Sequence, residues 1–195
     1  EDKQRKENLA GIGCARKRKE DPRFIQGKGH YVDDIKLPDM VYGALVRSPY
    51  AHARINGINK DAALALPGVL AVLTADDLKP LKLHWMPTLA GDVQAVLADE
   101  KVCFQQQEVA MVIATDRYIA ADAVELVEVD YEELPALVDP HQAMVDDAPV
   151  IREDLVGKDE AGQGKRIHDN HIFSWEVGDK SKTDATFKKA AVTVK

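Results

Sequence analysis

Short apolar runs, each bounded by turn-forming residues, recur along the chain and predict buried β-strands. The strongest of these runs cover residues 40–47, 69–73 and 108–115. Residues 53–59 and 128–132 instead alternate apolar and polar side chains, which is typical of strands with one covered face. The pattern takes a helical period in residues 117–127, where one face carries Ile119, Ala120, Ala123, Val124 and Val127. Strands that alternate with helices predict an α+β fold, in which helices pack on a small mixed sheet.

Polar residues stand where the predicted helices begin. Asp116 precedes the helix of residues 117–127, Asp61 precedes a short helix over residues 62–66, and Thr74 precedes one helical turn over residues 75–78. After the strand of residues 128–132, we expect residues 136–138 to pair as a further short strand. Asp139 and Pro140 then predict a short helix that runs to Met144.

Composition divides the chain into four parts. We predict an extended N-terminal arm over residues 1–22, a domain over residues 23–152, a glycine- and charge-rich linker over residues 153–170, and the start of a second domain over residues 171–195. In that last part the pattern predicts a strand over residues 171–179, a helix over residues 183–190 and a strand to Lys195. Because this final strand has no partner in the sequence, we expect the chain to be a fragment of a longer protein.

Residues 79–101 lack a regular period, and Pro80 and Pro87 interrupt any helix. The stretch nevertheless keeps apolar side chains, namely Leu81, Leu83, Trp85, Met86 and Leu89. Apolar side chains in an irregular connection indicate a contact with another surface.

Charge and cysteine content exclude several classes of function. The 195 residues carry a net charge of -7, which argues against a nucleic-acid or acidic-membrane surface as the main partner. The basic residues 16–19 are followed at once by Glu20 and Asp21, so we interpret them as a solvated arm. Cys14 and Cys103 stand far apart without a zinc or iron-sulfur spacing. Together with the lack of a signal peptide, this predicts a cytoplasmic protein.

Five groups of residues could carry chemistry, and each has a simpler interpretation. Residues 27–29 resemble a phosphate loop but lack its full pattern, so a tight turn is favoured. His168 and His171, with Asp169 and Asn170 between them, lack a third converging metal ligand. The acidic residues indicate a solvated face; they are Glu125, Glu128, Asp130, Glu132 and Glu133.

His52 and the two cysteines complete the set of candidates. His52 follows a strand, where it could serve recognition, although packing or a hydrogen bond to the backbone is more common. Neither Cys14 nor Cys103 has a basic neighbour in the sequence that would lower its pKa, so neither is assigned as a nucleophile. The residues alone therefore provide no catalytic, cofactor-binding or metal-binding constellation.

Several motifs resemble the α/β hammerhead domain of the xanthine dehydrogenase and aldehyde oxidase family of molybdenum hydroxylases. They are Arg23-Phe24, Gly27-Lys28-Gly29, Tyr31-Val32-Asp33-Asp34, Val46-Arg47-Ser48-Pro49, Ala51-His52-Ala53-Arg54-Ile55, Pro67-Gly68-Val69, Glu108-Val109-Ala110 and Val127-Glu128-Val129-Asp130-Tyr131-Glu132. Residues 83–102, 168–179 and 183–187 are similar to the branch of this family that oxidises carbon monoxide. The resemblance covers essentially the whole chain.

The resemblance implies a part of a large subunit that oxidises CO with water to CO2. Such a subunit holds molybdenum and copper on molybdopterin cytosine dinucleotide, and its partners are an iron-sulfur small subunit and an FAD medium subunit. The loops that carry the family's active site do not occur in this sequence. We therefore carry over no catalytic, cofactor-binding or metal residue, and we expect a structural role beside the remainder of the large subunit. The alternatives are a relative acting on an aldehyde or a nitrogen heterocycle, and a stand-alone α+β binding module.

Overall fold

The computed structural model describes residues 17–83, 94–155, 170–172 and 177–194. The chain forms two compact units, Glu1–Met40 and Val41–Lys195. The helices are α1 (Asp21–Ile25), α2 (Asp61–Ala65), α3 (Ala75–Leu78), α4 (Arg117–Glu125) and α5 (Lys180–Lys189). The strands are β1 (Tyr42–Arg47), β2 (Ala53–Asn59), β3 (Val69–Thr74), β4 (Lys101–Val102), β5 (Glu108–Ala114) and β6 (Glu128–Glu133). None of the described helices is long and apolar enough to cross a lipid bilayer.

The first unit is ordered by local contacts. Helix α1 carries proline in its first turn, where the missing N–H leaves no intrahelical bond unmade. A turn follows at Gly27, whose φ of 69° favours glycine, as expected for a tight turn rather than a phosphate loop. The rings of Phe24 and Tyr31 then stack with centroids 5.3 Å apart. Most of the predicted extended arm, residues 1–16, lies outside the described residues.

Six strands of the second unit form two three-stranded sheets. One sheet has the order β1-β5-β3 and the other has the order β4-β2-β6. All four strand pairs are antiparallel. The single mixed sheet expected from the sequence is therefore two antiparallel sheets. The reason is where the helical connections lead: α2 joins β2 to β3 and α4 joins β5 to β6, so each helix passes from one sheet to the other. A parallel pair would instead need a helix that returns the chain to the same sheet.

Two small apolar cores hold these sheets together. The first contains Val46, Ala63, Val72, Ala110, Val112, Ala123 and Val127. The second contains Ala53, Ala98, Val102 and Val109. Adjacent residues of β5 serve different cores, Val109 the second and Ala110 the first, because successive side chains of a strand point to opposite faces. Ile58 and Val129 pack against both cores and link the sheets.

Helix α4 begins and packs as the sequence predicts. The Asp116 carboxylate accepts the Tyr118 N–H at 2.8 Å, which satisfies one of the free donors at the helix start. Ala120 and Ala123 are buried on its inner face. Thr74 likewise precedes α3, where its N–H donates to Asp77 Oδ2 at 2.8 Å.

Beyond β6 the structure corrects several predictions. Residues 136–138 are not part of either described sheet, and the side chain of Val138 is 88% exposed. Pro135 explains this in part, since it lacks the N–H that a ladder needs. Helix α5 begins three residues before the predicted start because Asp179 accepts the Lys182 N–H at 3.0 Å. Residues 173–176 of the predicted strand lie outside the described residues, and residues 190–194 are exposed without a strand assignment.

Candidate functional site

Two loops meet at one corner of the second unit, the loop after β1 and the loop before β5. The Ser48 N–H donates to Gln107 O at 3.0 Å, and the Gln106 N–H donates to Ser48 O at 2.9 Å. The Arg47 guanidinium donates to Gln106 O at 2.9 Å and to Glu108 Oε1 at 2.7 Å. A register shift between Val46 and Arg47 lets the chain leave the ladder here. The corner is therefore held by backbone and ion-pair contacts across about 60 residues of sequence.

His52 ends the first of these loops and is buried, with 4% of its surface exposed. Its Nδ1 lies 2.7 Å from Pro135 O. Because a carbonyl oxygen only accepts, Nδ1 is the donor in this contact. Nε2 is buried and has no hydrogen-bond partner among the described residues. His52 thus fixes the turn after β6 to the loop after β1, which is the packing role that the sequence favours over recognition.

Two tyrosines and a serine line the inner side of the corner. The rings of Tyr50 and Tyr131 meet edge to face with centroids 5.3 Å apart. Ser48 is fully buried, and its hydroxyl donates to Tyr50 O at 2.9 Å while it accepts the Tyr50 N–H at 3.0 Å. Burial raises the pKa of Tyr131, although the nearby Ser48 hydroxyl opposes that shift. Tyr131 is therefore a protonated packing group and not a base at neutral pH.

A cavity of about 610 Å³, lined by both charged and apolar side chains, lies beside Cys103, between the loop before β5 and residues 151–154. The Cys103 N–H donates to Gln107 Oε1 at 2.7 Å, and its Sγ lies 3.7 Å from Ile151 O. Burial raises the pKa of the Cys103 thiol, and the Lys101 and Arg152 cations offset this shift only in part. A thiol that stays protonated is a poor nucleophile. Cys103 is therefore not an activated nucleophile in this structure.

Ion pairs close one side of this cavity. Glu153 lies 3.6 Å from Arg54 Nη2 and 3.5 Å from Lys101 Nζ, so one carboxylate faces cations from β2 and β4. Arg152 pairs with Asp154 at 2.7 Å. Leu155 is buried just beyond them. These contacts hold residues 151–155 against the edge of the β4-β2-β6 sheet.

An apolar groove of about 310 Å³ opens on the other sheet, lined by Leu45, Leu73, Leu78, Leu83, Gln94, Ala95, Val96, Leu97, Glu108 and Met111. Five of these lining residues, Leu83, Gln94, Ala95, Val96 and Leu97, belong to the irregular stretch from residue 79 to residue 101, whose contact with another surface stays a prediction. Trp85, Met86 and Leu89, which carried much of that expectation, lie outside the described residues. Leu81 and Leu83 are 63% and 52% exposed.

The remaining sequence candidates do not assemble into a reactive site. His168 and Asp169 lie outside the described residues, and the carboxylates of the acidic run on α4 and β6 are exposed to solvent. In the described part of the chain, no group of three or more His, Cys, Asp or Glu side chains could hold a metal ion. Sequence reasoning did not identify Asn170 and Glu153 as contact residues. No spacing signal could have identified them, because their partners are backbone groups or distant cations.

Comparison with known proteins places this fold in a family. The family model described as "Aldehyde oxidase and xanthine dehydrogenase, a/b hammerhead domain" matches residues 26–135, which is more than half of the chain. The chain belongs to the aldehyde oxidase and xanthine dehydrogenase family. Its α+β hammerhead fold, expected from the sequence motifs, is thereby confirmed.

Individual relatives refine this placement of the hammerhead domain. The carbon monoxide dehydrogenase large chain of Afipia carboxidovorans is 67% identical over 192 residues, which is 98% of this chain and 24% of that protein. A solved structure of a Cu,Mo-CO dehydrogenase in its carbon monoxide-reduced state has a TM-score of 0.76 and 68% identity, and the match covers 95% of this chain and 23% of that one. The xanthine dehydrogenase molybdenum-binding subunit of Escherichia coli O157:H7 is 33% identical, over 65% of this chain and 18% of the relative. This chain thus spans about a quarter of the length of these carbon monoxide dehydrogenase large chains.

Proposed function

We propose that this chain is the N-terminal part of the large subunit of a molybdenum- and copper-dependent carbon monoxide dehydrogenase. The complete enzyme would oxidise CO with water to CO2 and release two protons and two electrons. One observation carries the proposal: identity is 67% to a carbon monoxide dehydrogenase large chain, against 33% to a xanthine dehydrogenase subunit of the same family. A difference of this size within one domain favours the carbon monoxide branch.

In this proposal the described residues are structural. The contacts at the Arg47 to His52 corner join two loops and the turn after β6, and all of them are made within the domain. Side chains that a reaction could use are held in protonated or paired states, as Cys103 and Tyr131 illustrate. The domain would therefore act as a scaffold for polypeptide and subunits that carry the chemistry.

The implied molybdenum cofactor does not fit the described residues. They contain no group of three or more His, Cys, Asp or Glu side chains that could hold a metal ion. Several charged side chains that line the cavity beside Cys103 also pair with one another, Glu153 with Arg54 and Lys101, and Arg152 with Asp154. We infer that the molybdopterin cytosine dinucleotide with its molybdenum and copper binds to other polypeptide of the large subunit. An iron-sulfur subunit and an FAD subunit would accept the electrons in turn. We also propose a cytoplasmic location, which the sequence composition supports, with attachment of the complex to the inner face of the cytoplasmic membrane as the alternative.

The test is a substrate comparison with the complete enzyme. The full-length large subunit is purified with its partner subunits, and dye reduction is measured with CO, xanthine, an aldehyde and a nitrogen heterocycle. We expect turnover with CO that exceeds turnover with each of the others by at least about 100-fold, because a site built for one substrate rejects differently shaped ones. Faster turnover of an aldehyde or a heterocycle than of CO would overturn the proposal in favour of that branch.

A further inference from the structure

Asn170 makes hydrogen bonds to three separated backbone groups. Its side-chain oxygen accepts the Ile151 N–H at 3.0 Å. Its side-chain nitrogen donates to Pro149 O at 2.9 Å and to Ala143 O at 3.3 Å. All three bonds are partly buried, and they span 19 to 27 residues of sequence. An amide suits this position because it offers an acceptor and two donors at once.

The residues that Asn170 contacts are fixed to the domain by further interactions. Ile151 O lies 3.7 Å from Cys103 Sγ. Glu153 faces Arg54 of β2 and Lys101 of β4, and Leu155 is buried with 6% of its surface exposed. Residues 151–155 thus form a fixed support on the β4-β2-β6 sheet, and Asn170 bonds to that support at the Ile151 N–H.

We propose that Asn170 anchors residues 170–172 to the hammerhead domain, so that the polypeptide that follows them starts from a defined place on it. Polar groups that are partly buried are costly to leave unpaired, which makes three bonds to one side chain a specific attachment. The anchor makes Asn170 a positioning residue for the following polypeptide. The identity of that polypeptide, as the remainder of a large subunit, rests on the proposed function; the anchor itself rests only on the contacts described above.

The experiment measures hydrogen exchange in the full-length large subunit within its complex. Asn170→Ala removes the acceptor of the Ile151 N–H, and we expect exchange at this amide to rise at least about tenfold. Asn170→Asp keeps the acceptor but loses both donors, so we expect a smaller rise, of about threefold or more. Asn59→Ala is the matched control, because Asn59 is an exposed asparagine of the same unit that also accepts a backbone N–H, that of Asp61 at 3.1 Å. The control is expected to leave exchange at Ile151 unchanged.

The Val112 amide in the centre of β5 reports on unfolding of the domain as a whole. A rise at Ile151 without a matching rise at Val112 supports the anchor. Exchange at Ile151 that stays at the wild-type rate in both Asn170 variants would overturn it, and so would an equal rise at both amides. Turnover of CO is measured separately on the same samples. If the proposed function is wrong, the wild-type enzyme will not turn over CO, whatever the exchange rates are.

Discussion

Replacing Gly68 with alanine tests how the turn into β3 is built. Gly68 has a φ of 95°, a backbone conformation that residues other than glycine rarely adopt. A Cβ atom at this position would lie 2.7 Å from Ile119 Cδ1 and 3.0 Å from Thr115 Oγ1. The same residue receives the Thr115 N–H at its carbonyl oxygen at 2.9 Å, so the backbone cannot turn away without losing that bond. Gly68→Ala therefore combines backbone strain with crowding against α4.

The magnitude follows from these two effects. A residue held in such a region of φ costs on the order of 1–3 kcal/mol, and crowding in a packed site costs about 1–3 kcal/mol. Alanine also reduces the conformational entropy of the unfolded chain, which offsets about 0.4–1 kcal/mol of this loss in stability. We expect the free energy of unfolding to fall by about 1–5 kcal/mol.

The assay is the free energy of opening at the amides of Ala110 and Val112 in β5, measured by hydrogen exchange. Gly57→Ala is the control, because a Cβ at Gly57 would have no atom within 4 Å and its φ is not in the positive region. We expect this control to be neutral or to stabilise the domain by up to about 1 kcal/mol. If the free energy of opening falls by less than about 0.5 kcal/mol in Gly68→Ala, or falls equally in both variants, the expected strain and crowding at Gly68 are absent.

Three further predictions concern a helix cap, a thiol and the core. Hydrogen bonds, first from the Thr74 backbone and then from Lys60, lower the pKa of Asp77. Its stabilisation is therefore present above the unfolded pKa near about 4 and is lost as the pH falls through the folded pKa. Asp77→Asn should lower the free energy of unfolding by about 0.5–1 kcal/mol at about pH 7. Below the folded pKa of Asp77 the substitution should no longer change this free energy, which urea unfolding at several pH values measures. In a Cys14→Ser background, iodoacetamide should alkylate Cys103 more slowly in the native protein than in urea, because burial raises its pKa; equal rates would exclude this. Val112→Ala should lower the free energy of unfolding by about 1–3 kcal/mol, whereas the exposed Val138→Ala should change it by less than about 0.5 kcal/mol.

Local signals predicted the elements whose ends are set by nearby residues. Asp116 before α4 and Thr74 before α3 stand where the sequence placed them, because a cap needs only the first turn of its helix. The arrangement of strands into two sheets was not predictable in this way. It depends on which sheet each strand joins, and alternation along a strand does not contain that information.

The site residues show the same limit. His52 was identified from its position after a strand, yet its bond to Pro135 O joins residues 83 positions apart. In the sequence, Asn170 lies within a segment that resembles a metal-ligand spacing. In the structure its side chain bonds to three backbone groups. Almost every residue type has the same backbone N–H and C=O groups, so the sequence does not show which of them a side chain will bond to. The family motifs, by contrast, predicted the hammerhead fold correctly, since they are spread along the whole domain and not confined to one element.

The most direct test of the account compares two samples in one assay. CO-dependent dye reduction and bound molybdenum are measured for the 195-residue chain alone and for the full-length subunit assembled with its partners. We predict CO turnover and bound molybdenum in the assembled enzyme, and neither in the isolated chain. Turnover of CO by the isolated chain, with molybdenum bound to it, would contradict the claim that these residues are a scaffold.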